Sequence, residues 1–373
     1  MKTPYFLYNI EKRKIVMCEY KKKALLYPYD ITNMHFLLYP NLIKNYEITQ
    51  VASPIGWGYC NEDAGFKFGI YTGKRVCSDI EQALDSVDIL IITESILDLP
   101  NEHFCEIVKV AKNKRVEIKA VRNSLNCVET EEFIKKDYVE FNDKIIPKNY
   151  KLRELPVPLV VVIGSGKRCN KFEIQLELRK IFFEEKYKVT QIGSKNYSEI
   201  YGFHSFPNFV YDNTMSFSDK VINFNRYMNY LASIEKPDVF ILGVPGGLYP
   251  YDDTFHNDFG FINYVVSNAI SSDFTILAAL NVDHKEKFAE SMITSLKGRF
   301  DYDVDCIFIS NTAINWIETK SLNTLTYLTL PKNKVIYENN ESDFYNIFEN
   351  KSKTRLKNKV ISTLNGYSNV DEL

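Results

Sequence analysis

Residues Leu159–Val189 read LVVVIGSGKRCNKFEIQLELRKIFFEEKYKV: an apolar strand, a short glycine-containing loop, an amphipathic helix and the start of another strand. The loop, Gly164-Ser165-Gly166-Lys167-Arg168-Cys169-Asn170-Lys171, carries three basic side chains. A buried strand that runs through such a loop into a helix builds an anion cradle. Backbone N–H groups at the helix start point outward, the helix dipole adds partial positive charge, and the basic side chains add full charge. Few arrangements other than an α/β sheet present a loop in this way. In the helix, Ile174, Leu178, Ile181 and Phe182 share one face at i, i+4, i+7 and i+8.

The first half alternates strand and helix signals. Strands are expected at Ala24–Tyr27, Tyr46–Ala52, Val87–Thr93 and Val116–Val121, with helices at His35–Lys44, Ser78–Ser86 and His103–Lys112. In the second half, strands are expected at Lys188–Ile192, Val239–Val244, Phe274–Leu280, Asp305–Ser310 and Leu325–Leu330. Helices are expected at Phe217–Ile234, Phe259–Ser271 and Lys285–Gly298, and a basic helix near the end. Between Asp137 and Pro158 the pattern loosens into proline and mixed charge, which marks a domain boundary. The expectation is α/β: two doubly wound, mostly parallel-sheet domains. Residues 1–145 form a Rossmann-like domain without a dinucleotide fingerprint, and residues 146–373 a degenerate P-loop domain.

At 373 residues, each half is long enough to bury its own core. A formal net charge of −2 gives no global pull toward nucleic acid or membrane, and neither is expected as a partner. Apolar runs such as LPVPLVVVIG fall far short of the roughly 20 residues of a membrane helix. MKTPYFLYNIEKRK lacks the pattern of a secretory signal, so the cytoplasm is the expected compartment. Lys21-Lys22-Lys23 reads as a solvated strand edge. The 7 cysteines include no CxxC pair, which argues against a disulfide framework or a zinc ribbon. Cys169, beside Lys167, Arg168 and a helix start, is expected to have a lowered pKa.

Two templates bear on the loop. The dinucleotide fingerprint fails: Gly164 and Gly166 fit, but Cys169 takes the third glycine position, and no carboxylate follows the next strand at Gly193-Ser194-Lys195. The phosphate-binding P-loop fits better. Lys171 lies seven residues after Gly164, a spacing that resembles the dethiobiotin-synthetase-like branch, G-T-x-x-x-V-G-K. On that alignment Asn170 replaces a glycine, which asparagine's tolerance of positive φ permits. Phe172 replaces the metal-binding Ser or Thr and removes its hydroxyl. Pro237–Leu248 resembles the strand ending E-G-x-G-G-L of the same branch. Gly246, Gly247 and Leu248 agree, but Gly243 stands where the metal-linked carboxylate belongs.

Candidate phosphate-binding residues are therefore Gly164, Ser165, Gly166, Lys167, Arg168, Asn170, Lys171, Phe172, Gly193, Gly246 and Gly247; no metal site and no catalytic residue is assigned. ATP, ADP or a CoA-like molecule is the candidate ligand. Loss of both metal ligands argues against Mg²⁺ and against NTP hydrolysis. Three further features are weaker. Asp252, Asp253 and His256 have ligand-like spacing but read as surface turn residues, and Asp283-His284 is a second such pair. His204 is a candidate wall of the site, and Trp57 either lines a cleft or packs in its loop. Asp305–Asn311 is a candidate nucleobase edge.

Two whole-chain resemblances follow. A Rossmann-like domain joined to such a P-loop module resembles the layout of the D-glutamate N-acetyltransferase-type family. More closely, ALLYPYD (24–30), SPIGWGYCNEDAG (53–65), VDILIITES (87–95), VVVIGSGKRCNKFEIQLELR and FISNT (308–312) resemble the clostridial natural-product peptide maturation system proteins. That resemblance implies a cytoplasmic accessory protein, with a small Cys-rich precursor peptide and a radical-SAM maturase as partners. Two other roles stay open: a ligase or acyltransferase using ATP or acyl-CoA between the domains, and a ligand-free scaffold presenting the precursor.

Overall fold

The computed structural model of the chain describes residues 21–120, 150–282, 285–331 and 344–368. Two parallel sheets form the frame. The first contains β1 (Lys22–Tyr27), β2 (Tyr46–Ala52), β3 (Val76–Cys77), β4 (Ile89–Ile92) and β5 (Glu117–Ala120), in the order β3-β2-β1-β4-β5. The second contains β6 (Leu159–Gly164), β7 (Val189–Gly193), β8 (His204–Ser205), β9 (Val239–Gly243), β10 (Phe274–Ala279) and β11 (Val304–Ile309). It is completed by β14 (Phe344–Tyr345), in the order β14-β11-β10-β6-β9-β7-β8. β12 (Thr312–Ile314) and β13 (Tyr327–Thr329) form a separate antiparallel hairpin. The fold is thus α/β with two parallel sheets, as the alternation predicts. The boundary at 145 lies outside the described residues.

Burial explains which strands were easy to read. β4, β6 and β10 are buried at every residue, as parallel strands covered on both faces must be. In the second sheet one face packs on α5 (Phe217–Glu235), α6 (Phe261–Ala269) and α7 (Lys285–Phe300). The other face packs on α4 (Lys171–Glu184) and α9 (Asn350–Ser368). In the first sheet, alternation along β1 sends Leu25 and Tyr27 toward α2 (Ile80–Leu84) and α3 (Asn101–Asn113). Ala24 and Leu26 face the opposite way, into a core shared with Phe172, Leu176, Tyr197, Ile200, Tyr201 and Phe203 of the second half. The two halves therefore close one core between them, and α4 lies in it with both faces covered.

Four expectations need correction. The helix expected at His35–Lys44 is α1 (His35–Leu38) followed by a 3₁₀ turn, Pro40–Leu42. Pro40 has no N–H for the ladder and cannot continue the helix. The strand expected at Leu325–Leu330 is the shorter β13, and it pairs with β12 instead of joining the main sheet. Cys169 is fully buried, so its thiol is raised by burial, which outweighs the nearby Lys171 charge. None of the five described cysteines is in a disulfide. Lys22 opens β1, the central strand of the first sheet and not an edge, and is ion-paired with Glu117.

Candidate functional site

β6 ends at Gly164 and delivers the loop to the helix α4, as the sequence pattern requires. The turn is made by two residues in the left-handed region, Arg168 at φ 59° and Asn170 at φ 62°. Asn170 so takes the conformation its glycine counterpart would have, at little steric cost. Gly164 is held by close packing: an added Cβ would lie 2.6 Å from both Cys169 Sγ and Lys171 Cδ.

A cavity of about 440 Å³ opens beside the loop, between the two halves. The loop side is lined by Lys167, Arg168, Cys169, Asn170, Lys171, Phe172 and Glu173. Ser194, Lys195, Pro245 and Gly246 extend that wall. Ile31, Thr32, His35, Glu94, Ser95 and Asp98 come from the first half, and Thr312 and Thr329 from the β12–β13 hairpin. Four cations thus converge on one space.

Their balance decides what the space accepts. Lys195 is ion-paired with Glu94 across the halves at 2.8 Å. Burial pulls the Lys195 ammonium down, but the Glu94 carboxylate more than reverses this and leaves it raised. Among the described residues, Lys167, Arg168 and Lys171 have no carboxylate at ion-pair distance. Lys171 is 8% exposed and donates to the Gly246 carbonyl. Burial lowers its pKa, and the charges of Lys195 and Lys167 push the same way. Glu173, at 6% exposure, is raised by burial although Lys195 and the Asn170 side chain work against that. Three of the four cations, Lys167, Arg168 and Lys171, thus reach the cavity without an ion-pair partner among the described residues, which leaves a place for an anion.

The residues present do not fit Mg²⁺. Phe172 is turned into the shared core, with ring centroids 5.0 Å from His35, 5.5 Å from Tyr197 and 5.6 Å from Tyr201. At Gly243 an added Cβ would lie 2.1 Å from Gln175 Oε1, so the carboxylate position is filled by an amide. Gln175 is fixed there: Nε2 donates to Lys171 O and Ser194 Oγ, each at 2.9 Å, and Oε1 accepts from Ser194 N–H. Among the described residues no His, Cys, Asp and Glu cluster could hold a metal ion.

Other candidates fall elsewhere. Gly193 ends β7 and packs against Ser198 and Phe203, outside the cavity lining. Gly247 packs under Asn257. Ser165 lies outside this cavity, and its hydroxyl accepts the Leu280 N–H at 3.0 Å. His204 pairs with Glu235 and is absent from the cavity wall. Asp252 accepts from the Thr254 and Phe255 amides, and His256 bonds the Asp253 carbonyl, so the trio is a closed turn. Trp57 packs against the shared core. Asn311 is buried and donates to Leu330 O, anchoring the hairpin. Asp283 and His284 lie outside the described residues.

Sequence reasoning missed Lys195, Glu94, Glu173, Gln175 and His35. Lys195 had a usable signal: it follows the end of a strand parallel to β6, on the same rim as the loop. His35 had none, because its partners are distant in sequence: Tyr201 Oη lies 2.7 Å from Nδ1 and Tyr197 Oη 2.8 Å from Nε2. Burial holds the His35 pKa well below its ordinary 6.5, and Lys195 adds to the effect. The folded ring stays neutral while the unfolded chain takes up a proton below pH 6.5. Stability from His35 is therefore full above pH 6.5 and is lost as the pH falls below it. Urea unfolding at pH 7.5 and pH 5 is expected to show a smaller loss for His35→Gln than for the wild type; an equal loss would contradict this role.

No protein-family model matches the chain, and no curated protein does. Among solved structures, the chain is similar to a DUF1611 family protein from Anabaena variabilis. The two are 13% identical with a TM-score of 0.50, over 78% of this chain and 88% of that one. The likeness is one of fold. A pseudomurein peptide ligase type C from Methanothermus fervidus aligns at 11% identity and TM-score 0.27, over 77% of this chain and 44% of the ligase. A GTPase in apo form from Pyrococcus abyssi aligns at 13% identity and TM-score 0.25, over 41% and 66%. Among the described residues no helix is long and apolar enough to cross a membrane.

Proposed function

We propose that this protein binds a phosphorylated small molecule, a nucleotide or CoA-like ligand, without a metal ion, as an accessory factor in the maturation of a natural-product peptide. The observation that carries the ligand is Lys171: a buried ammonium beside Lys167, Arg168 and Lys195, with a carbonyl as its own partner. Such a group gains most from an anion that displaces the weak partner and returns charge to the cavity. Phe172 and Gln175 remove both places from which Mg²⁺ would be held, so the protein's own cations must do all the neutralising. The pathway reading is supported by the sequence strings that resemble the peptide maturation family. Its expected partners are a Cys-rich precursor and a radical-SAM maturase in the cytoplasm.

Titration calorimetry with ADP, CoA and inorganic phosphate tests the ligand reading. Binding of at least one of them, unchanged when EDTA replaces Mg²⁺, is expected. Binding that appears only with Mg²⁺ would sink it. Co-purification of the chain with a neighbouring maturase and precursor tests the pathway.

Glu173 favours one second reading, metal-independent acyl transfer from an acyl-CoA. It is a cavity-lining carboxyl whose raised pKa suits proton transfer to or from an acceptor amine or hydroxyl. Acyl transfer that is lost in Glu173→Gln while CoA still binds would support it; binding without turnover leaves the accessory role.

A further inference from the structure

The first three residues of the phosphate loop lie outside the cavity. The cavity is lined by the loop from Lys167 onward and by none of Gly164, Ser165 or Gly166. Gly164 is packed by Cys169 and Lys171, Ser165 faces a neighbouring cavity, and Gly166 is covered by Tyr251. An added Cβ on Gly166 would lie 1.4 Å from the Tyr251 hydroxyl oxygen and 2.7 Å from its Cζ, so the phenol fills the hollow that the glycine opens. The hydroxyl is buried and faces the Lys167 amide and the Tyr327 hydroxyl.

The ring is held there by its own segment. Tyr251 N–H donates to Phe255 O at 2.8 Å, closing a turn capped by Asp252. The side-chain amide of Asn257, just beyond that turn, donates to Ser165 O at 3.2 Å and to Tyr249 O at 3.1 Å. The segment is thereby tied to the loop it covers.

A polyphosphate chain is ordinarily wrapped by the full loop, with the lysine reaching its far end and a metal bridging its oxygens. Here the hollow is filled and the metal places are gone, while the outer rim keeps Arg168, Asn170 and Lys171. We infer that Tyr251 sets the ligand class of this site: it restricts the loop to a single phosphoryl group, so that the ligand is a phosphomonoester and not a di- or triphosphate held end to end. The inference rests on the anion-binding role proposed above.

Charge alone orders ligands the other way. In a cavity with unpaired cations, each added phosphate should strengthen binding. The ranking of simple anions therefore separates the two cases. The full chain is titrated calorimetrically in EDTA with inorganic phosphate, pyrophosphate and tripolyphosphate. The wild type is expected to bind tripolyphosphate no more tightly than phosphate. Tyr251→Gly is expected to bind tripolyphosphate about tenfold more tightly than the wild type does, the worth of one recovered charge-assisted contact, with phosphate unchanged. Tyr251→Phe keeps the bulk of the ring and should keep the wild-type ranking.

Wild-type affinity rising steadily from phosphate to tripolyphosphate would overturn the inference and leave the anion site intact; that ranking decides the matter even if Tyr251→Gly does not fold. A folded Tyr251→Gly with the wild-type ranking would also overturn it. No binding of any of the three anions would overturn the proposed function itself, and this inference with it.

Discussion

Phe172→Ala is expected to destabilise the protein by about 3–5 kcal/mol, the range for removing a fully buried aromatic ring. The ring is 3% exposed and packs against His35, Tyr197, Tyr201 and Phe203. Those partners come from both halves of the chain, so the loss falls on the core they share. Urea unfolding followed by tyrosine fluorescence measures it. Phe172→Ser restores the side chain that a metal-dependent P-loop carries, yet it should be no better tolerated than alanine. It should also gain no Mg²⁺-dependent hydrolysis, because Gln175 still fills the space beside Gly243. A stable Phe172→Ser protein that hydrolyses ATP with Mg²⁺ would show that the ring is a recent substitution in a working site. A loss below about 1 kcal/mol would show that the ring is not the anchor described here.

Lys171→Ala is expected to weaken phosphate binding by about 30-fold or more, from a loss of about 2–3 kcal/mol for a charge-assisted contact in a shielded site. The side chain is buried and lies at the start of α4, where the dipole and the loop amides act on the same ligand. Lys167 and Arg168 are exposed, so their charges are better screened and each should matter less. The effect of Lys171→Ala should persist at high salt, whereas that of Lys167→Ala should shrink. Calorimetry with phosphate at low and high ionic strength makes the comparison. Equal losses for the two variants would argue that the cavity attracts anions by general charge and not by a built contact.

The main strands and the loop were legible because their signals are local. An all-apolar run such as VVVIG can only be a covered strand, and Ile174, Leu178, Ile181 and Phe182 do meet the second sheet together. The other side of α4 was hidden. Phe172 and Leu176 lie off the expected face and pack on the first sheet. Edge strands as short as Val76–Cys77 and His204–Ser205 carry too few residues to show a period. Cys169 was misread because proximity to charge is visible in sequence and burial is not. The pairs Gln175–Gly243, Tyr251–Gly166 and Lys195–Glu94 span long chain separations, and only the topology brings their members together.

The most direct measurement is the response of the loop's backbone amides to phosphate, followed by ¹⁵N–¹H NMR of the labelled full chain in EDTA. Saturable shifts at Lys167 to Phe172, unaltered by Mg²⁺ and absent in Lys171→Ala, are the result this account requires. Amides that stay unmoved while phosphate binds elsewhere, or that respond only when Mg²⁺ is added, would contradict it.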